Sequence, residues 1–139
     1  MFPIADSCRS AEGKGGTRLK LKMMIVDDSK AFRDIIRELL ARVGVDDVVE
    51  AADFDEAIEK YNAEKPDMVL IDMILPGRSG VETTSAILKF DKGAKIIAMS
   101  SMVNKKLIKE ALGAGAKDFL LKPTNEMALS TVIQMWGGE

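Results

Sequence analysis

The sequence predicts an α/β protein built on a doubly wound, five-stranded parallel sheet, and three observations support this fold class. Five short apolar runs alternate with amphipathic stretches from residue 20 onward. The runs are apolar throughout, which is typical of parallel strands that helices cover on both faces. Five strand–helix units fit one domain, and we expect the strand order 2-1-3-4-5. The runs are Met23–Val26, Val48–Ala52, Met68–Ile71, Ile96–Met99 and Phe119–Leu121.

Each intervening stretch repeats apolar residues at the spacing of one helix face. The first stretch is the clearest, and Gly44 directly after it is a typical helix stop. Its stripe consists of Phe32, Ile35, Ile36, Leu39, Leu40 and Val43. The other stripes are Phe54, Ala57, Ile58 and Tyr61; Val81, Thr84, Ile87 and Leu88; Leu107, Ile108, Ala111 and Leu112; and Ala128, Val132, Ile133 and Trp136.

The 139 residues divide into a short tail and one domain. Residues 1–19 lack apolar periodicity, so we expect a flexible N-terminal tail there. We expect the folded domain to span residues 20–136, and residues 137–139 to form the C-terminal end. The net charge is −2, although residues 1–22 carry five basic and two acidic side chains. The remainder is therefore acidic, and we expect no binding to nucleic acid.

Composition excludes several kinds of chemistry. No apolar run approaches the roughly 18 residues that span a membrane, so we expect no membrane association. The single cysteine, Cys8, cannot form an internal disulfide, which fits a reducing, cytoplasmic location. The chain has no histidine, so a structural zinc site and a histidine base are excluded. A metal ion here needs oxygen ligands, which favours Mg²⁺ or Ca²⁺.

Polar side chains follow the predicted strands at the end where ligands bind in such sheets. Asp27 and Asp28 follow the first run, Asp72 the third, Ser100 the fourth and Lys122 the fifth. Taken singly, each residue is more often a turn residue, a helix cap or a solvated side chain. Together they place carboxylates so close that a counter-ion is required, and a divalent cation with Lys122 supplies it.

The same residues carry a resemblance to the receiver domains of bacterial response regulators. They are the pair Asp27-Asp28, then Asp72 at the start of Asp72-Met73-Ile74-Leu75-Pro76-Gly77, then Ser100, and Lys122-Pro123 preceded by Ala114-Gly115-Ala116. The resemblance covers about residues 20–136, and the ordered set is far more specific than any one motif. It implies a flavodoxin/CheY-like fold.

The resemblance also implies a role for each matched residue. Asp72 would attack the phosphorus of a phosphohistidine and become an acyl phosphate. Asp27, Asp28, Asp72 and the backbone carbonyl of Ile74 would hold Mg²⁺. Lys122 would neutralise charge, Ser100 would hydrogen-bond a phosphoryl oxygen, and the Lys122–Pro123 bond would be cis.

The partners that the resemblance implies are a sensor histidine kinase, or a phosphotransfer protein, and a downstream effector protein. The effector would read the surface around the fourth helix, fifth strand and fifth helix, about residues 104–135. Only three residues follow Trp136, so we expect a stand-alone receiver, as in chemotaxis or a phosphorelay. The alternatives are a fragment of a longer multidomain regulator and a degenerate receiver that serves only for interaction.

Four residues depart from common family patterns. Phe119 stands where many receivers have tyrosine, and Phe54 where the family often has glycine. Ile74 and Met102 should flank the path of an attacking water and, being apolar, exclude it. We therefore expect slow self-dephosphorylation and no other enzymatic activity.

Two other classes of protein are weighed against the receiver. A haloacid-dehalogenase-type phosphatase also uses a strand-end Asp, but it needs a second Asp two positions later, where this chain has Ile74. A flavodoxin-like cofactor binder needs a phosphate-binding loop after the first strand. Asp27 and Asp28 at that place would repel a phosphate in the absence of a metal.

Overall fold

A computed structural model describes residues 19–102 and 104–137. The predicted tail over residues 1–19 therefore lies, apart from Leu19, outside the described residues, as do residues 138–139. The elements are β1 (Lys22–Val26), α1 (Lys30–Arg42), β2 (Asp47–Ala51), α2 (Phe54–Glu64), β3 (Met68–Asp72), α3 (Gly80–Phe90), β4 (Ile96–Ser100), α4 (Lys105–Gly113), β5 (Asp118–Leu121) and α5 (Glu126–Val132), which continues into a π-helical turn (Ile133–Gly137).

The five strands form one parallel sheet in the order β2-β1-β3-β4-β5, which confirms the predicted fold. In register, Val26 pairs with Ile71, Asp72 with Met99, and Ser100 with Leu121. The carboxyl ends of β1, β3, β4 and β5 therefore meet at one edge of the sheet. At this edge the chain leaves β1 and β3 toward opposite faces of the sheet, because α1 packs in one core cluster and α3 in the other. Such a point is the usual ligand site of a doubly wound fold.

Each of the helices α1 to α5 follows a capping side chain that accepts a hydrogen bond from a backbone amide of the first turn. Ser29, Asp53, Ser79, Asn104 and Asn125 each accept a hydrogen bond from an amide in the first turn. At α3 the carboxylate of Glu82 returns a bond to the amide of Ser79, which completes a capping box. At the functional edge the loops after β1, β4 and β5 have three or four residues, whereas the loop from β3 to α3 has seven.

The core lies on both faces of the sheet. β1, β3 and β4 are buried almost throughout, as their uniformly apolar sequences predict. β2 and β5 are edge strands and are only partly buried.

The prediction that the apolar stripes pack on the core is wrong for two residues. The side chains of Ile35 and Leu112 are 54% and 46% exposed. Each lies at the margin of its stripe, because successive helical residues turn by about 100°. Within the described residues, no helix is both long and apolar enough to cross a membrane.

Candidate functional site

Three carboxylates converge where the sequence places them. Asp27 and Asp28 follow β1, Asp72 ends β3, and one ligand oxygen from each lies within 4.8 Å of the others. Asp27 is fully buried and Asp72 nearly so, whereas Asp28 is exposed. The site is therefore a cluster of two buried carboxylates and one that faces solvent.

Lys122, directly after β5, joins two of these carboxylates. Its Nζ donates to Asp27 Oδ2 at 2.8 Å and to Asp72 Oδ2 at 2.9 Å. The amide of Lys122 donates to the carbonyl oxygen of Ser100 at 2.8 Å, and the Lys122–Pro123 bond is cis. The lysine thus reaches across β4 from the sheet edge to the two buried acids.

Backbone amides fix the remaining oxygen of each buried acid. Asp27 Oδ1 accepts from the amide of Ser29 at 2.8 Å, and Asp72 Oδ1 from the amide of Ile74 at 2.9 Å. Both donors lie two residues after the acid, so each carboxylate is held by its own loop. The side chain of Ile74 points to solvent and is 55% exposed.

Burial and hydrogen bonding act in opposite directions on the pKa values of Asp72 and Lys122. Burial raises the pKa of Asp72 above its usual range, against the opposing effects of the Ile74 amide and the Lys122 ammonium, and Asp27 raises it further. Burial also lowers the pKa of Lys122, but hydrogen bonds to Asp27 and Asp72 outweigh it and leave that pKa above its ordinary value. With all groups ionised, three carboxylates and one ammonium leave a net charge of −2.

This donor set fits a hard divalent cation. The converging ligand atoms are all carboxylate oxygens, and one acid, Asp28, faces solvent. Mg²⁺ prefers such oxygens and keeps several waters, so an open side suits it. A charge of +2 would also balance the −2 that Lys122 leaves uncompensated.

Ser100 lies at the same edge, but its side chain takes no part in the hydrogen bonds between Lys122 and the carboxylates. It ends β4, is fully buried, and its Oγ accepts from the amide of Met102 at 3.1 Å. Met102 itself is 52% exposed. The predicted site residues thus share one edge, with Asp27, Asp72 and Lys122 in direct contact.

Two residues of α1 that sequence reasoning missed contact this site. Arg33 Nη1 donates to the carbonyl oxygen of Asp27 at 2.5 Å, and its Nε donates to Glu50 Oε1 at 2.8 Å. Phe32 places its ring centroid 4.0 Å from Lys122 Nζ. Both residues lie in the first turn of the helix that follows Asp27 and Asp28. This closeness in sequence was the only indication of a contact with the site.

Comparisons with known proteins agree with the geometry. The sequence model of the response regulator receiver domain matches residues 23–134. The chemotaxis protein CheY of Thermotoga maritima is 38% identical over 102 residues, which are 73% of this chain and 85% of that protein. CheY of Bacillus subtilis is 36% identical over 102 residues, with the same coverage of 73% and 85%.

A solved structure of a chemotaxis complex is also similar to this chain in fold and in sequence. A chain in the crystal structure of the CheX–CheY–BeF3–Mg²⁺ complex from Borrelia burgdorferi is 31% identical, with a TM-score of 0.77 over 83% of this chain and 88% of that chain. The chain described here belongs to the response regulator receiver domain family. Members of this family are generally signalling proteins of two-component systems, and phosphoaspartate and Mg²⁺ are typical of them.

Proposed function

We propose that this protein is a Mg²⁺-dependent phosphorylation switch whose phosphoacceptor is Asp72. The phosphoryl donor is a sensor histidine kinase or a phosphotransfer protein. The observation that carries the proposal is the contact of Lys122 with both Asp27 and Asp72, two buried acids with a third carboxylate close by. Such a charge arrangement suits an incoming phosphoryl group and its metal ion better than a purely structural role.

In the proposed reaction, a carboxylate oxygen of Asp72 attacks the phosphorus of a phosphohistidine. The new O–P bond forms as the P–N bond breaks, and the electron pair of that bond returns to the imidazole of the donor. The amide of Ile74 and Lys122 hold the two Asp72 oxygens before the attack. Because phosphoryl transfer depends on positioning and charge neutralisation, this fixed geometry is the main contribution of the protein.

The metal would be held by Asp27, Asp28 and Asp72, with the backbone carbonyl of Ile74 as a further ligand. When bound, Mg²⁺ supplies positive charge that neutralises the phosphoryl oxygens. Arg33 supports Asp27 from behind by binding its carbonyl oxygen, and Ser29 binds its side chain.

The signal would leave the site through Ser100. Its buried hydroxyl is proposed to turn toward a phosphoryl oxygen, giving up the bond from the Met102 amide. Phe119 pairs with Ala98 on the neighbouring strand and is partly buried. We propose that its ring follows this change. The surface that responds would be residues 104–135, and an effector protein would bind there. The solved structure from Borrelia burgdorferi contains a CheY chain in complex with a second protein, CheX.

The proposed activity belongs to the receiver domain, which we place at residues 20–136. It is the same for a receiver that acts alone and for one within a longer regulator. We place the protein in the cytoplasm, where its kinase would phosphorylate it. Beyond phosphorylating itself and slowly losing the phosphoryl group, it would catalyse no reaction.

The test uses the whole chain, Mg²⁺ and acetyl phosphate as the phosphoryl donor. We expect intact mass spectrometry to show one added phosphoryl group, which hydroxylamine removes because acyl phosphates are sensitive to it. Asp72→Ala should take up none, and omission of Mg²⁺ should prevent uptake. Asp55→Ala, which removes an exposed carboxylate from α2, should behave as wild type. Uptake by Asp72→Ala would refute the assignment.

A further inference from the structure

Besides its hydrogen bonds to Asp27 and Asp72, the ammonium of Lys122 contacts the ring of Phe32. The role proposed above for Lys122 does not explain this third contact. The centroid of the Phe32 ring lies 4.0 Å from Lys122 Nζ. This distance is well inside the range in which an aromatic face attracts a cation. A lysine ammonium has three N–H donors, and the contacts with Asp27, Asp72 and the ring occupy three sides of it.

The backbone holds Phe32 in this place. Its amide donates to the cap oxygen Ser29 Oγ at 3.2 Å, and the amide of Ser29 donates to Asp27 Oδ1. The Phe32 side chain is half-buried and packs against the core cluster on its face of the sheet. The ring is therefore tied through two hydrogen bonds to the same carboxylate that Lys122 binds, so the three groups form one unit.

Phosphorylation of Asp72 should change the hydrogen bond between Lys122 and Asp72 but leave the contact between Lys122 and the Phe32 ring in place. When Asp72 becomes an acyl phosphate, its carboxylate charge is lost and negative charge appears on phosphoryl oxygens further from the strand. Lys122 must then exchange its bond with Asp72 for one with a phosphoryl oxygen. A cation is attracted wherever it lies over the ring face within about 6 Å of the centroid, so the ammonium can shift across that face without losing the contact.

Resting on the proposed function, we propose that Phe32 is a positioning residue for Lys122. Its ring holds the ammonium between Asp27 and Asp72 before transfer and keeps it at the site while its partner changes. It also covers one side of the ammonium, whose side chain is only 16% exposed. Phe32 does not touch the reacting atoms and acts only through Lys122.

The test compares Phe32→Leu, Phe32→Tyr and wild type at saturating Mg²⁺ with acetyl phosphate. We expect Phe32→Leu to be phosphorylated about three- to tenfold more slowly, the size expected for loss of a partly desolvated cation–π contact. Phe32→Tyr keeps the ring face and should restore the rate. Phe90→Leu, which removes an aromatic ring that contacts Tyr61 instead, should keep the wild-type rate.

A spectroscopic measurement tests the contact itself without any phosphorylation. The ε-methylene protons of Lys122 should resonate upfield in wild type and Phe32→Tyr, because the ring current shields them, and at ordinary positions in Phe32→Leu. A wild-type rate in Phe32→Leu, or a Phe32→Tyr rate as low as that of Phe32→Leu, would overturn the proposal. If wild type itself takes up no phosphoryl group, the proposed function fails, and unshifted Lys122 protons would separately refute the contact.

Discussion

Lys122 Nζ lies 2.8 Å from Asp27 Oδ2, although the two residues are 95 positions apart in the sequence. The same ammonium lies 2.9 Å from Asp72 Oδ2, so one cation from the last strand separates two buried acids from the first and third. Without it, two like charges would face each other away from solvent, which is strongly unfavourable. The lysine is therefore part of what allows the acids to be buried at all.

Lys122→Met should destabilise the metal-free protein. The substitution leaves Asp27 and Asp72 buried without a partner, and we expect the free energy of unfolding to fall by about 3 kcal/mol. Urea denaturation in the presence of a chelator measures this. Lys30→Met removes an exposed i,i+4 pair with Asp34 instead and should cost less than about 0.5 kcal/mol. Equal losses in the two variants would contradict the structural role of Lys122.

Mg²⁺ should raise the thermal stability of the wild-type protein, because it binds the folded carboxylate cluster and not the unfolded chain. At a hundredfold excess over the dissociation constant the gain is about 2.7 kcal/mol. We expect Asp27→Asn to need at least about tenfold more Mg²⁺ for the same rise, since a buried ligand charge is lost. Asp55→Asn, away from the site, should respond as wild type. A normal response from Asp27→Asn would place the ion elsewhere.

The sheet and its edge could be predicted because they depend on patterns that repeat along the chain. Uniformly apolar runs indicated buried parallel strands, and parallel strands necessarily bring Asp27, Asp72, Ser100 and Lys122 to one edge. Stripe margins were less certain: Ile35 turns to solvent because a helix face has no sharp border.

The contacts of Phe32 and Arg33 could not be predicted in the same way. They depend on which direction each side chain of α1 takes once the helix packs, and on where Lys122 arrives from a distant strand. An aromatic residue in an amphipathic stripe is most simply explained as core. Only the tertiary structure shows that one face of the ring meets an ammonium.

The phosphoryl group on Asp72 should be long-lived in wild type and shorter-lived in the double variant Ile74→Asn, Met102→Glu. Both native side chains are more than half exposed and apolar, so they cannot orient an attacking water. Polar replacements at these places can, and we expect the lifetime to fall about tenfold or more. The decay of acyl phosphate after removal of the donor measures it. Ile74→Leu with Met102→Leu is the matched apolar control, and an unchanged lifetime in the polar variant would refute the explanation.

Glu50 should stabilise the fold at neutral pH but not in acid. Hydrogen bonds from Arg33, and secondarily from Arg37, hold the pKa of Glu50 below its usual range despite partial burial. Because the folded state favours the ionised form, the contribution is complete above the unfolded value of about 4.3 and is lost as pH falls through the lower folded value.

We therefore expect Glu50→Gln to cost about 1 kcal/mol at neutral pH, and the difference from wild type to disappear in strong acid. Urea denaturation across this pH range measures the difference. Glu59→Gln, at an exposed position on α2, is the control and should show no such pH dependence. If the difference in the free energy of unfolding between wild type and Glu50→Gln stays constant with pH, the ion pairs of Glu50 with Arg33 and Arg37 do not stabilise the fold.

Gly80→Ala should damage both stability and phosphorylation. Gly80 begins α3, and a Cβ there would clash with the carbonyl oxygen of Asp72 and the Cα of Met73. The amide of Gly80 donates to Met73 at 3.0 Å, so the helix start lies directly on the end of β3. Relief of the clash requires the loop that carries Asp72 to move, and we expect a cost of about 1–3 kcal/mol together with slower phosphoryl uptake.

Gly113→Ala is the matched control, because the same added methyl group at the end of α4 meets nothing within 4 Å. There the loss of backbone freedom in the unfolded chain should make alanine about 0.5–1 kcal/mol more stable than glycine. In urea denaturation, Gly80→Ala should therefore lose stability and Gly113→Ala should gain it. Uptake of the phosphoryl group from acetyl phosphate should become slower only in Gly80→Ala. Normal uptake by a folded Gly80→Ala protein would mean that Asp72 tolerates displacement of its strand end, contrary to a site held by fixed geometry.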